Sequence, residues 1–598
     1  NAEQYPTASE NESAAADRAL YDEQYLNVSD LISASPLVKT VTTDSPSTSS
    51  PGETLSVDYQ YAGARLQFGG RGWLGFRKLT TETEKDGYTF ETNTYYRQAF
   101  PFVGMPDKTE KYMVSGNSRT LLSSASNTYT NATSTNSNSL LSYQVYNANT
   151  KECSARIDSD LTVSSYNCTV TTTVQDEHAN VSELTVNKYE QSTGFLESLS
   201  SGVSLSSVAT VNTYGASDFD KRFGRLSATT VTHSQPELAS VTRNTEFTYY
   251  PSNHKNKGML KDEIVMPQSG CDSYLKTTHI YDSLGNETAI QTANSPSCDG
   301  VAGQKYQTRS KTSTFDNEGR YAISTENALF TEQTVNTRNE FGQPTEVTDV
   351  NGTKAFFQYD VFGSKVSSYS AIGAQTSTYM SECDSSNCIA QVNKLVNGEL
   401  VEKQYIDKAG RTIAASKITV LSDWLTAYTQ YDKYGRSLSQ TSPGMLAITS
   451  SYDVFDRPTQ IDDPNSNITT THELSGLTET VTLIGDIPQG TQVKTTVNNA
   501  LGQTASVTDN AGNILTYTYD VLGNLKTVHS SADNQILSTI EYDTLGRKQS
   551  MNDKDRGNWR YTYTAFGELK TQTDARGVVT TNTYDILGRK TNQTVTGE

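Results

Sequence analysis

The chain has 598 residues, 34% of them hydrophobic and 19% charged, with a formal net charge of −19. It is too long for one compact core and lacks the basic footprint of a nucleic-acid binder, and no apolar stretch approaches the ~20 residues of a membrane helix. Its 35 Tyr outnumber its 17 Phe and 3 Trp together, which excludes the aromatic-poor composition of disorder and points to a pleated, half-wet, all-β surface.

The opening residues, NAEQYPTASENESAAADRAL, carry no Met and no apolar signal core and read as a processed or trimmed end. Residues 1–50 form a polar segment, with local helical character expected only within residues 10–30. A β region is expected over residues 51–210. Within it, YQYAGARLQFGGRGWLGFRKL (Tyr59 to Leu79) contains Gly70-Arg71-Gly72-Trp73-Leu74-Gly75, formally Gly-x-Gly-x-x-Gly. A dinucleotide site needs a helix after the glycines, so that phosphate meets its N-terminus. The sequence that follows alternates and is Thr-rich, so these glycines read as tight turns or close backbone packing. Further on, CSARIDSDLTVSSYNC reads as a hairpin turning near Asp158-Ser159-Asp160 that brings its terminal cysteines together.

The six cysteines fall into three local pairs: Cys153 with Cys168, Cys271 with Cys298, and Cys383 with Cys388. Three disulfides in an oxidising, extracellular setting are favoured over three sets of thiols. No Cys-x-x-Cys occurs and the six His do not cluster near cysteines, so zinc is not expected.

A repeated unit occupies residues 211–598. Its weaker copies are FDKRFGR at Phe219, YDSLGN at Tyr281, FDNEGR at Phe315 and YDVFG at Tyr359. Its full copies are Tyr431-Asp432-Lys433-Tyr434-Gly435-Arg436, Tyr542-Asp543-Thr544-Leu545-Gly546-Arg547 and Tyr584-Asp585-Ile586-Leu587-Gly588-Arg589. Tyr431 to Tyr452, Tyr542 to Tyr563 and Tyr563 to Tyr584 are each 21 residues apart. A second turn signal lies midway: DVNGT from Asp349, DNAGN from Asp509 and DARGV from Asp574 each begin ten residues before a Tyr.

Each unit is therefore strand, turn, strand, turn. Asp bonds the backbone two residues on, and Gly takes positive φ without strain. Between the turns NILTYTYD alternates, with Leu515, Tyr517 and Tyr519 on one face and Thr516 and Thr518 on the other. Tyr is expected to end a strand with its hydroxyl at a wet edge. Asp should open the turn, and Arg should pair with an Asp of its own or an adjacent unit. A twisted open sheet rarely exceeds ~10 strands, so dozens of antiparallel strands must coil into a spiral, a closed shell or a solenoid.

DKDRGN (Asp553 to Asn558) and DDPNSN (Asp462 to Asn467) hint at calcium loops. The first lacks the closing Glu and falls in register with the midway turn, so both read as turns. Gly-x-Ser-x-Gly, His-Glu-x-x-His and the P-loop do not occur, and no catalytic residue, cofactor or metal ligand is assigned. Exposed Tyr rows could stack on sugar rings, but cross-strand packing is the plainer reading of any one Tyr.

Tyr-Asp-x-x-Gly-Arg at a period near 21 is the signature of YD repeats, and the chain resembles the Rhs/YD-repeat family. That family includes bacterial Rhs proteins, the B and C components of insecticidal Tc toxin complexes and, more distantly, animal teneurins. YQYAGARLQFGGRGWLGFRKL and YYRQAFPFVGMP (Tyr95 to Pro106) resemble the segment leading into the YD array of Tc B components and SpvB-like proteins. The resemblance covers residues 55 to 598. It implies one continuous β-sheet wound into a hollow shell. In the toxin branch the shell holds an unfolded or inhibited C-terminal effector, and a core domain closes it and cuts the effector off with its own aspartates. No Rhs core segment with its Asp-Pro-x-Gly motif follows Tyr584, and there is no room before Tyr59 for the β-propeller of Tc B components. A piece of shell wall is therefore expected. The implied function is a secreted, non-enzymatic scaffold around a C-terminal polypeptide, with neighbouring subunits as further partners. The alternative is an extracellular adhesin or filament subunit that binds glycans or neighbouring chains.

Overall fold

The computed structural model describes residues 28–30, 36–45, 53–68, 72–135, 141–194, 204–215, 224–267, 270–271, 273–298, 306–383, 388–485 and 490–597. Its 42 strands, numbered β1 to β42 in chain order, belong to one antiparallel sheet. Among the described residues the only helical element is a 3-10 turn at Pro296–Cys298. Most of the segment expected to have helical character lies outside the described residues, and Val28–Asp30 at its end is strand β1. The FDKRFGR copy begins outside them too, and so do Gly70 and Arg71.

From β3 (Thr54–Gln67) onward every strand pairs with the next, while β1 and β2 (Thr40–Asp44) share the outer edge of β3. The glycine-rich stretch enters β4 (Gly72–Lys85), a strand and not a helix. The upstream strands are long, up to the 18 residues of Ser118–Thr135. From β11 (Ser206–Tyr214) they shorten to between 5 and 9 residues. The sheet passes from one region to the other without a break, since β10 (Val181–Gln191) pairs with β11.

Period-two alternation sets the two faces of the wall. In β39 (Gly557–Tyr563), Trp559, Tyr561 and Tyr563 are half-buried while Asn558, Arg560 and Thr562 are exposed. The exposed face is laddered by hydroxyls: Thr518 with Thr527 at 2.6 Å, Thr562 with Thr571 at 2.6 Å and Thr583 with Thr591 at 3.1 Å. The first two pairs are directly opposed in the ladder, and such Thr pairs stabilise antiparallel neighbours by roughly 0.2–1 kcal/mol each. Among the described residues no large aliphatic core lies behind the wall: 12 apolar side chains are buried against 19 polar ones.

The wall coils back on itself. The hairpin of β27 (Trp424–Tyr431) and β28 (Ser437–Thr441) sits on that of β4 and β5 (Tyr88–Tyr96), where Asp86 N–H donates to Tyr434 Oη at 3.1 Å. The hairpin of β31 (Ile468–Ser475) and β32 (Thr478–Gly485) sits on that of β8 (Leu141–Ile157) and β9 (Val163–Gln175), with Gly476 N–H on Asp158 Oδ1 at 2.6 Å. The hairpin of β35 (Ile514–Tyr519) and β36 (Leu525–Ser530) sits on that of β12 (Leu226–Ser234) and β13 (Val241–Tyr249), through Gln235 Nε2 and the Val521 carbonyl at 3.4 Å. That of β39 and β40 (Leu569–Thr573) sits at the junction of β16 (Glu287–Asn294) and β17 (Thr308–Phe315), where Arg309 meets Glu568 at 2.5 Å. The offset is 23 strands every time (27 less 4, 31 less 8, 35 less 12, 39 less 16). Constant strand twist repeated over equal units produces a constant rotation. Because 23 is odd, each YD turn of the second coil lands on a turn at the opposite end of the first-coil strands.

At ~4.8 Å per strand, 23 strands make a perimeter of roughly 110 Å, about 35 Å across between wall centres. Allowing ~10 Å for wall thickness, a lumen about 25 Å wide remains.

Candidate functional site: the YD joint and the seam between coils

The repeating element of chemistry is a five-residue turn. At Asp543–Arg547, Gly546 N–H donates to the Asp543 carbonyl at 2.9 Å and Asp543 N–H donates to the Arg547 carbonyl at 2.9 Å. Asp543 Oδ1 accepts from the N–H groups of Leu545 at 3.0 Å and Arg547 at 2.8 Å, leaving Oδ2 for the Arg547 guanidinium at 2.6 Å. One carboxylate therefore satisfies two turn donors and one cation. Gly546 has φ 81°, a region where a Cβ is strained. Gly435 (φ 94°) and Gly588 (φ 78°) do the same job. Arg436 meets Asp432 at 2.5 Å and Arg589 meets Asp585 at 2.7 Å, so each Arg pairs with its own unit's Asp, and Arg436 additionally reaches Asp86 at 2.9 Å and Asp456 of the adjacent unit at 3.5 Å.

The first and fifth positions are complementary even where the motif decays. Asp520 Oδ2 accepts from Asn524 at 2.9 Å, and Asp282 Oδ2 accepts from Asn286 at 3.0 Å. Asn339 donates to Gln343 at 2.9 Å and Asn499 to Gln503 at 2.9 Å. Thr564 pairs with Glu568.

The Tyr hydroxyl does not end at a wet edge as expected. It donates to the backbone carbonyl of the first strand residue after the preceding YD turn: Tyr542 Oη to Leu525 at 2.9 Å, Tyr563 to Lys548 at 2.8 Å, Tyr584 to Leu569 at 2.7 Å and Tyr452 to Ser437 at 2.9 Å. That carbonyl lies next to a β-bulge, as between Glu541 and Tyr542 opposite Lys548, where the ladder leaves acceptors to be filled. The Arg answers in the other direction. Arg436 Nη1 donates to the Asp453 carbonyl at 3.0 Å, and Arg547 Nη1 to the Thr564 carbonyl at 3.1 Å. The Arg547 guanidinium also lies 5.0 Å from the Tyr563 ring centroid, within cation–π range. Tyr thus ties a unit back to its predecessor and Arg ties it forward.

Electrostatics follow from these bonds. Burial pushes the phenols of Tyr519, Tyr542, Tyr563 and Tyr584 above their ordinary value. The Asn513 side chain and N–H hold Asp509 below the usual carboxylate range, and the Arg576 guanidinium holds Asp574 there. Slight burial raises Asp585, but the N–H and guanidinium of Arg589 outweigh it and hold the carboxyl low.

At the seam the YD tips become buried. Val454 joins Phe90, Met113 and Leu122 in one apolar cluster, with Phe455 packed against it. Lys85 reaches Asp456 at 2.6 Å, and Arg457 donates to the carbonyls of Ile157 and Asp158. Sequence reasoning missed this seam. A signal was present in the apolar tips Val454-Phe455, Val521-Leu522 and Ala565-Phe566, more apolar than a solvent-facing turn requires.

Disulfides join Cys153 to Cys168, direct cross-strand neighbours with Cα atoms 4.1 Å apart, and Cys383 to Cys388, with Cα atoms 5.9 Å apart. The expected bond between Cys271 and Cys298 is not formed. Cys298 is buried in the Pro296–Cys298 turn, and it is Ser297 whose Oγ faces the Cys271 sulfur, at 4.0 Å. In DKDRGN, Asp553 Oδ1 accepts from the N–H groups of Asp555 and Arg556, closing a turn. In DDPNSN, Asp463 does likewise for Asn465.

Residues 499–536 match the RHS Repeat family. No curated protein matches the sequence. Solved Tc toxin structures share the fold. TcdB2-TccC3 without its hypervariable C-terminal region superposes with a TM-score of 0.67 at 10% identity, over 91% of this chain and 40% of that one. TcdB2-TccC3-Cdc42 gives 0.68 at 9% identity, over 93% and 40%. The Photorhabdus luminescens Tc holotoxin pore gives 0.66 at 9% identity, over 91% and 39%. The chain spans about two fifths of the length of those chains. The chain carries an RHS repeat at residues 499–536 and shares the all-β fold of those Tc toxin structures.

Proposed function

We propose that this chain is the wall of a secreted, non-enzymatic container that holds a polypeptide in its lumen. The observation that carries the reading is the constant 23-strand offset of the seam, which turns a sheet into a tube without an aliphatic core. The lumen estimate narrows the cargo. A folded domain of ~100 residues, with a radius of gyration near 13 Å, is about 34 Å across, wider than the ~25 Å lumen. An extended chain or single helices, ~10–12 Å in diameter, fit. A polypeptide inside this wall is therefore held unfolded or as isolated elements. The two disulfides support an oxidising, extracellular destination. The TcdB2-TccC3 assemblies, with which the fold is shared, supply the precedent of a multi-component toxin.

The test is protease protection. A polypeptide carrying a cleavage site, fused after Glu598, should resist a site-specific protease in the native fusion and be cut once the wall is unfolded. Cleavage of the native fusion at the rate of the isolated polypeptide would contradict the container reading.

A further inference from the structure

Two kinds of joint hold this wall together, and they are built differently. Along the sheet, every strand from β3 on is bonded to the next by a backbone ladder. Across the seam, among the described residues, one hydrogen bond joins backbone to backbone, from Ser159 N–H to the Leu474 carbonyl at 2.8 Å. Side chains make the other crossings.

Arginines of the first coil act as hooks. Arg156 Nη2 donates to the Ala500 carbonyl at 3.0 Å, Arg243 Nε donates to the Thr544 carbonyl at 2.8 Å, and Arg309 meets Glu568 at 2.5 Å. Ala500 and Thr544 are each the second residue of their turn, and so is Val521, whose carbonyl receives Gln235. From the second coil, Arg436 reaches Asp86 at 2.9 Å, and Arg457 reaches the carbonyls of Ile157 and Asp158. Contacts of this kind separate one by one, whereas a ladder gives way strand by strand, and local openings are drawn from the less densely bonded parts of a structure.

The ladder also contains a hinge. Among the described residues its shortest links, two residue pairs each, join β22 (Lys365–Ser370) to β23 (Thr376–Ser381) and β28 to β29 (Ile448–Tyr452). The first of these lies between β17 of the first coil and β27 of the second, so a change of angle there swings one coil against the other.

We propose that the seam is a separable joint: the spiral opens along it, the second coil lifting off the first, while the strand ladder stays intact. As a way out for a polypeptide this rests on the container reading; as a property of the wall it does not.

The test is native-state hydrogen exchange of the full chain, with amides resolved individually by mass spectrometry. The N–H groups of Asp86, Ser159, Leu474 and Gly476 donate across the seam, and the ladder between β31 and β32 is the internal reference. The four seam amides are expected to exchange at least roughly tenfold faster than the reference and with a weaker dependence on denaturant. Replacing the hooks together (Arg156→Gln, Arg243→Gln and Arg309→Gln) should speed the seam amides by roughly a further tenfold, because charge-assisted bonds are lost. Reference exchange and far-UV circular dichroism should not change, and small-angle scattering should report a larger radius of gyration. Seam amides that exchange only together with the ladder, at its rate and denaturant dependence, overturn the proposal. So does a triple variant whose seam amides exchange as in the wild type. A variant that loses its ladder along with the seam also overturns it, since seam and ladder would then be one cooperative unit. None of these readouts measures protection of a cargo, so failure here and failure of the container reading are separate results.

Discussion

At the residue scale the joint is a division of labour within one carboxylate. Asp543 binds two turn N–H groups with one oxygen and Arg547 with the other. The pairing rule between the first and fifth positions makes a specific expectation. Asp543→Asn or Arg547→Gln alone should cost on the order of 1–2 kcal/mol, because each leaves a charged partner incompletely bonded. Together they recreate the pair seen at Asn499 and Gln503, and most of the loss should return. A double-mutant cycle read by denaturant unfolding measures this; strictly additive losses would contradict the rule. Gly546 tests backbone conformation instead. A Cβ there meets nothing closer than 3.6 Å, so the cost of Gly546→Ala, about 1–2 kcal/mol, comes from φ alone. Hydrogen exchange should rise in the two strands that the turn joins and stay unchanged near Tyr281.

At the element scale, hairpins are coupled by Tyr reaching back and Arg reaching forward. The carboxylates in the turns set the response to acid. Asp282, Asp509, Asp574 and Asp585 are all held below their ordinary values in the folded chain. A depressed native pKa contributes stability that is fully present above the unfolded value, near 4, and lost as pH falls through the native value. The melting temperature should therefore show no loss from these groups down to about pH 4 and fall below it. A fall centred near neutral pH would place the sensitivity elsewhere. For the cysteines, labelling in denaturant without reductant should find two reactive thiols, Cys271 and Cys298, and four protected sulfurs. Six labelled thiols would remove both disulfides.

The strands, the turns and their period were legible in the residues, because Asp-x-x-Gly and the Leu515-Tyr517-Tyr519 alternation act locally. The Arg partner was left open between its own and the adjacent unit. Both are realised: each Arg pairs with its own Asp and donates to the neighbour's carbonyl, and Arg436 reaches the adjacent unit's Asp456 as well. The Tyr hydroxyl was misjudged because a single unit shows an edge, while its acceptor belongs to the previous hairpin. The absent Cys271–Cys298 bond has the same origin. Closeness in sequence did not reveal that the 3-10 turn would bring the Ser297 hydroxyl to the Cys271 sulfur and bury Cys298.

At the scale of the whole molecule, the sequence implied a coiled sheet but not its pitch. The seam joins residues about 300 positions apart, as Arg457 does with Asp158. For the first part of the seam, half of each contact comes from residues such as Lys85 and Phe90 that lie outside the repeat. The number 23 is the sum of small twists along the wall, which no motif encodes. It is nonetheless the quantity on which everything larger depends: perimeter, lumen and the burial of the second-coil YD tips. The measurement that tests it most directly is a cryo-electron microscopy map of the chain. The account predicts a hollow spiral of nearly two coils, a lumen roughly 25 Å wide, Phe455 against Phe90, and the Val521 turn over Gln235. A sheet that runs on without returning to itself, or separate compact bodies with filled cores, would contradict it.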